Sequence, residues 1–118
     1  MSGGLLEATL LGACPGLRER WESIRRMHGS RVPDDGQLLT QVRLHVVELL
    51  AGGRVAEFTR FARAVERLLG EADPILADLL ETQLIRPLAE DVEGARVSPS
   101  LVTPHLGPRL RASWPYAP

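Results

Sequence analysis

The spacing of apolar residues constrains this sequence more than any other feature. In successive segments apolar side chains recur at every third or fourth position, and Gly and Pro separate the segments. This spacing is typical of helices that bury one face. The alternating Val, Ile and Thr runs of β-strands are almost absent. The sequence therefore predicts an all-α protein, a compact bundle of about five helices.

Residues between the segments predict where the helices begin and how they are connected. The segments cover residues 4–11, 15–28, 37–51, 54–69 and 74–93. Asp35 is expected to cap the third helix and Asp73 the fifth, which has Pro74 at its first position. Gly52 and Gly53 leave so short a connection that the third and fourth helices should form an antiparallel hairpin.

Two prolines set further boundaries. Pro87 lies inside the fifth segment, and its missing amide hydrogen and its ring should kink or split that helix near residues 83–86. The chain beyond is rich in proline, and Gly107 followed by Pro108 is expected to start a helical turn.

The length of 118 residues and the hydrophobic fraction of 44% suit one small domain with a real core. We expect a single helical domain over residues 1–112 and an irregular, Pro-rich tail over residues 113–118. No apolar stretch approaches the ~20 residues needed to cross a bilayer, so the sequence predicts a protein that does not bind membranes.

Net charge and cysteine content limit the classes of function and the cellular compartments that fit this chain. The formal net charge is −1, which argues against a general nucleic-acid binder. All 14 basic residues are Arg, and Lys and Asn are missing, a usage typical of a G+C-rich bacterial genome. The single Cys14 indicates a reducing, cytoplasmic setting. The run before it looks like a lipoprotein cleavage box, but nothing basic precedes it and Glu7 interrupts it.

The sequence shows no recognisable catalytic or metal-binding motif. His28, His45 and His105 lie far apart, and none has a second ligand at the i+4 spacing of a zinc-binding helix. His45 is expected to be packed and hydrogen-bonded in the core. No residue that could act as a general base for Cys14 lies at a recognisable sequence spacing from it. We therefore predict a protein that is not an enzyme and has no cofactor. An enzyme that uses Cys14 or His45 is a further alternative.

Three arginines on one face of the fourth segment suggest a basic stripe. They are Arg60, Arg63 and Arg67. Glu57 and Glu66 interleave with them at i,i+3 and i,i+4 spacing, so these pairs are expected to neutralise the face.

Carboxylates on the fifth segment give the main functional prediction. These residues are Asp78, Glu81, Glu90, Asp91 and Glu93. Acidic residues near the end of a helix oppose its dipole at a small cost, so their presence indicates either solubility or a surface for a basic partner. The sequence predicts that this set binds a protein partner.

Four short motifs, over residues 10–18, 41–50, 79–84 and 106–110, give the chain a resemblance. Together they resemble a family of small bacterial helical proteins, some of which look like immunity proteins of polymorphic toxin systems. The resemblance covers roughly residues 5–112, and Glu81 and the stretch Leu106-Gly107-Pro108 match its pattern best.

The leading hypothesis is a non-enzymatic immunity-like protein, which would neutralise a cognate toxin by occluding its active or substrate surface. The alternative is a structural or regulatory helical interaction module, such as a homo-oligomer (for example a homodimer) or an adaptor. In that case the tail, with Trp114 and Tyr116, is the candidate docking element.

Overall fold

The computed structural model describes residues 2–27 and 34–115, with side chains from residue 6 onward, and the regular structure there is entirely helical. The α-helices are α1 (Ser2–Ala13), α2 (Pro15–Met27), α3 (Asp35–Ala51), α4 (Val55–Glu71), α5 (Pro74–Leu80), α6 (Arg86–Gly94) and α7 (Pro108–Ser113). A π-helical segment, Glu81–Ile85, joins α5 to α6, and two 3₁₀ turns, Pro99–Leu101 and Thr103–His105, precede α7. The all-α class is confirmed, but within these residues the chain forms seven α-helices and the expected number of about five is wrong.

Helices α1 and α2 meet at Cys14. Pro15 occupies the first position of α2, where a missing amide hydrogen costs no helical hydrogen bond. The Cys14 N–H donates to the Leu10 carbonyl at 3.1 Å, so the chain passes from one helix to the next within a single residue. Trp21 of α2 is buried, and its indole N–H donates to the Glu7 carboxylate of α1, which ties the two helices together.

Helices α3 and α4 form the expected hairpin around Gly52 and Gly53. Gly53 has a φ of 73°, a left-handed conformation that glycine adopts at little cost. The cap of α3 is Asp34 and not Asp35. The Asp34 carboxylate accepts from the Gln37 N–H at 2.8 Å, and the Gln37 side chain accepts from the Asp34 N–H at 3.0 Å. This reciprocal pair needs a Glu or Gln three residues after the cap, and of the two aspartates only Asp34 has one.

A continuous helical run from Pro74 to Gly94 comprises α5, the π segment and α6, and it begins at the expected Asp73 cap. Its buried side chains include a strict repeat of four: Leu76, Leu80, Leu84, Leu88 and Val92. An α-helix has about 3.6 residues per turn, so such a stripe would drift by about 40° at each step and leave the core. The wider π turns rotate less per residue and keep the stripe facing inward.

The two additional helices have separate physical causes. Pro87 follows the π segment, in which the Arg86 N–H donates to the Glu81 carbonyl five residues back. The α-helical hydrogen bonding is thus interrupted over Glu81–Ile85, near the expected residues 83–86. This π segment separates α5 from α6, while the helical run itself continues. The turn expected at Gly107 is extended into the six-residue α7.

Helix α7 completes the core. Leu110 and Trp114 are buried, and they belong to one cluster with side chains from the other six helices. Gly107 precedes α7 and has no capping side chain, so the carboxylate of Glu66 on α4 accepts from the first amide groups instead. None of the helices described has the length and hydropathy of a bilayer-spanning segment.

Candidate functional site

The carboxylates expected to bind a partner lie along the run from α5 to α6. Three of them, Asp78, Glu90 and Glu93, are exposed, and within residues 6–27 and 34–115 none of the three has an ion pair. We call these three residues the acidic face. The opposite side of the run carries the buried leucine stripe. The acidic face is therefore presented on a helix whose position the core fixes.

The other two carboxylates of the set are already paired. Glu81 binds Arg86 at 3.0 Å, in a pair whose side chains are 40% and 61% exposed. Asp91 accepts from Arg43 of α3 at 3.0 Å in a half-buried position. A solvent-exposed ion pair contributes little free energy, so Glu81 can exchange Arg86 for a charged group of a partner. Asp91, in contrast, helps to hold α6 against α3.

The arginines of α4 are not neutralised in the expected way. Glu57 forms a hydrogen bond with His45 of α3, and Glu66 accepts hydrogen bonds from Arg109 at the start of α7. In the part of the chain described, no ion pair involves Arg60, Arg63 or Arg67. The expectation of i,i+3 and i,i+4 pairs is wrong here because partly buried hydrogen bonds are worth more to a carboxylate than exposed arginines on its own helix.

A second candidate site lies where the corner between α1 and α2 meets the α3–α4 hairpin. The Cys14 sulfur, a ring nitrogen of His45 and a carboxylate oxygen of Glu57 all lie within 4.8 Å of one another. His45 Nε2 is 2.9 Å from Glu57 Oε2, a hydrogen bond that joins α3 to α4. The packed, hydrogen-bonded His45 is confirmed. Its two neighbours were not expected, because Cys14 comes from the junction between α1 and α2 and Glu57 from α4.

Burial governs the chemistry of this cluster. Cys14 is fully buried and His45 is 7% exposed. Burial raises the pKa of the Cys14 thiol to about 12; the negative charge of Glu57 adds to this shift and Arg60 opposes it. At neutral pH the sulfur is therefore protonated and shielded from dissolved substrates. This environment argues against Cys14 as a nucleophile, since the thiolate is the reactive form.

Local backbone geometry holds the imidazole in place. The first turn of α2 packs on it, and a β-carbon at Gly16 would lie 3.1 Å from His45 Cε1. Glu57 is in the first turn of α4, directly after the hairpin turn, which places it beside His45 in the C-terminal half of α3. Thiol, imidazole and carboxylate are the side-chain types that bind zinc in proteins, so these three residues could hold a metal ion.

His105 takes no part in either site. His105 lies in a 3₁₀ turn, where its Nδ1 is 3.0 Å from Thr59 Oγ1 and its ring packs edge-on against Phe58. His28 lies outside the described residues.

The tail residue Trp114 packs against its own chain and is only 7% exposed. It borders a surface pocket of about 240 Å³ together with Val92 of α6 and Val102. The fold-back places the indole in the core cluster, so Trp114 is not an exposed anchor. Tyr116 lies outside the described residues.

No known protein family, characterised protein or solved structure matches the chain. The resemblance to immunity proteins stays a prediction that rests on the four short motifs. The structure gives one of them a physical role, because Gly107 leaves the space in which Glu66 caps α7.

Proposed function

We propose that this protein binds another protein and acts as an immunity protein: it neutralises a cognate bacterial toxin by covering the toxin's active or substrate surface. The observation that carries the proposal is the acidic face. Asp78, Glu90 and Glu93 are exposed and lie opposite the buried leucine stripe of their own helical run. The resemblance to immunity proteins supports the same function.

The scaffold beneath the acidic face suits binding with little reorganisation. The run is anchored by its buried leucines and by the contact between Asp91 and Arg43. A surface that is ordered before binding loses less conformational entropy in the complex than a loop does. Ile75 is 82% exposed and lies one helical turn before Asp78, so it offers an apolar contact beside the charges.

The partner surface that fits the acidic face is basic. Since the whole chain carries a net charge of only −1, attraction comes from the local arrangement of carboxylates and not from the overall charge. Complementary charges of this kind raise the association rate and select the partner, and salt screens them.

The alternative, a homo-oligomeric or adaptor module that docks through its tail, has less support. It relies on the aromatic residues of the tail, and Trp114 is buried in its own chain.

Calorimetric titration against the purified product of the neighbouring gene tests the proposed function. We expect stoichiometric binding that weakens as salt is added, and loss of the partner's toxic activity in proportion to the complex formed. Absence of binding to any neighbouring toxin-like protein would contradict the immunity function. Tight binding without any salt dependence would agree with a protein partner but would contradict the acidic face as the surface that binds it.

A further inference from the structure

We propose that Cys14, His45 and Glu57 form a binding site for a divalent transition-metal ion, with zinc as the best fit. The site is separate from the acidic face and does not depend on the immunity function. It involves three parts of the fold: the corner between α1 and α2, the C-terminal half of α3, and the first turn of α4.

The donor atoms define the class of metal. A sulfur and an imidazole nitrogen favour zinc and similar ions over magnesium and calcium, which prefer oxygen ligands. On metal binding the Cys14 thiol would release its proton to solvent, and the resulting thiolate and the Glu57 carboxylate would together carry two negative charges, which balance a divalent cation. A buried site is costly for charges that lack compensation, so this balance matters here.

The distances are close to those that a metal ion requires. Ligands at bond lengths of about 2.0–2.3 Å around a tetrahedral zinc lie roughly 3.3–3.6 Å from one another. The three donor atoms already lie within 4.8 Å of one another, and His45 Nε2 and Glu57 Oε2 are 2.9 Å apart. Side-chain rotations that move these atoms by about an ångström complete the geometry. Three protein ligands leave the fourth tetrahedral position to a water molecule.

Burial separates this cluster from a chance group of surface residues. Cys14 is fully buried, His45 is 7% exposed, and the first turn of α2 packs on the imidazole at Gly16. Rigid surroundings keep the ligands close together before the ion arrives. A bound ion would cross-link the N-terminal helices to the hairpin and raise the stability of the fold by mass action.

Titration of untagged, chelator-treated protein with Co²⁺ and then Zn²⁺ tests the site. We expect one Co²⁺ per chain, a sulfur-to-cobalt charge-transfer band in the near ultraviolet, and displacement of Co²⁺ by Zn²⁺. The melting temperature should rise with the concentration of added Zn²⁺. Bound Co²⁺ without the sulfur band, or no binding at all, would overturn the proposal in the wild-type protein without reliance on any variant.

Variants then assign the ligands. Cys14→Ala should abolish the sulfur band and weaken Zn²⁺ binding at least roughly 100-fold, since even outer-shell changes cost 10–100-fold. Glu57→Gln should weaken it without removing the band. Glu71→Gln is the matched control for Glu57→Gln, because it changes another glutamate of α4 outside the cluster. His105→Gln is a further control, which changes a histidine of the second 3₁₀ turn outside the cluster. Undiminished Zn²⁺ affinity in folded Cys14→Ala, or equal losses in the controls, would overturn the assignment.

Discussion

The carboxylate of Glu66 occupies the space in which a side chain at Gly107 would lie: a β-carbon there would come within 2.5 Å of Glu66 Oε1. From this position the carboxylate accepts from the N–H groups of Arg109 and Leu110, each at 3.0 Å. These are amide hydrogens that α7 cannot pair within itself. Gly107 has an ordinary φ of −72°, so glycine is needed for the approach of Glu66 and not for an unusual backbone conformation.

Gly107→Ala should therefore destabilise the protein by displacing the cap of α7. We expect the free energy of unfolding to fall by about 1–2 kcal/mol, the usual cost of a lost cap, as measured by urea denaturation. Gly94→Ala is the matched control, because a β-carbon there meets nothing within 4 Å. In a Glu66→Ala background the cost of Gly107→Ala should nearly vanish. Equal costs in both backgrounds would show that the two residues are not coupled.

The same cap predicts a dependence of stability on pH. Burial by itself would raise the pKa of Glu66, but the N–H groups of Leu110 and Arg109 and the guanidinium of Arg109 outweigh it and hold the pKa below its ordinary 4.5. A carboxyl group with a lowered pKa in the folded state stabilises the protein above its unfolded pKa, and this contribution disappears as the pH falls through the folded value.

Wild type should accordingly exceed Glu66→Gln in stability near pH 7, and the difference should shrink as the pH falls below 4.5. Denaturation curves at several pH values measure this difference. A gap between the two proteins that stays constant across the acid range would contradict the assignment of the cap to the ionised carboxylate.

Trp114 provides a test of how the tail is used. Because the indole packs in the core cluster, Trp114→Ala should lower the free energy of unfolding by about 3 kcal/mol. The mass in solution, measured by sedimentation equilibrium, should not change. A lower mass for the variant than for wild type would instead show that Trp114 joins two copies of the chain.

Much of the fold follows from local patterns in the sequence. The all-α class follows from the apolar spacing that recurs in every segment. The hairpin at Gly52 and Gly53 and the cap at Asp73 are each specified by a few neighbouring residues. The cap of α3 shows that a single neighbouring residue can determine which of two adjacent aspartates caps a helix. Gln37 forms the reciprocal hydrogen bonds with Asp34, so Asp34 is the cap. The π segment also has a local signature, the repeat of four in the buried leucines, which an α-helix cannot satisfy over such a length.

The cluster of Cys14, His45 and Glu57 could not be predicted in the same way. His45 and Glu57 are 12 residues apart on two helices, and the hairpin brings the end of one helix to the start of the other, so a careful reading of the turn could have paired them. No local pattern indicates Cys14, because its position depends on how the first two helices pack. Likewise, Glu57 and Glu66 select partners across the fold that helical spacing does not reveal.

The claim that the acidic face binds the partner calls for a charge-reversal variant that leaves the fold intact. Asp78→Lys, Glu90→Lys and Glu93→Lys together meet this need, because all three side chains are exposed. Asp91 is left unchanged, since its contact with Arg43 helps to pack α6 on α3.

The most direct measurement is the dissociation constant for the neighbouring gene's product, determined by calorimetry for wild type, the acidic-face variant and a control. The control, Glu19→Lys with Glu22→Lys and Glu71→Lys, changes the net charge equally at exposed positions elsewhere. We predict that the acidic-face variant binds at least roughly 100-fold more weakly, with helicity unchanged, and that the control binds nearly as wild type does. An acidic-face variant that retains wild-type affinity would contradict the account.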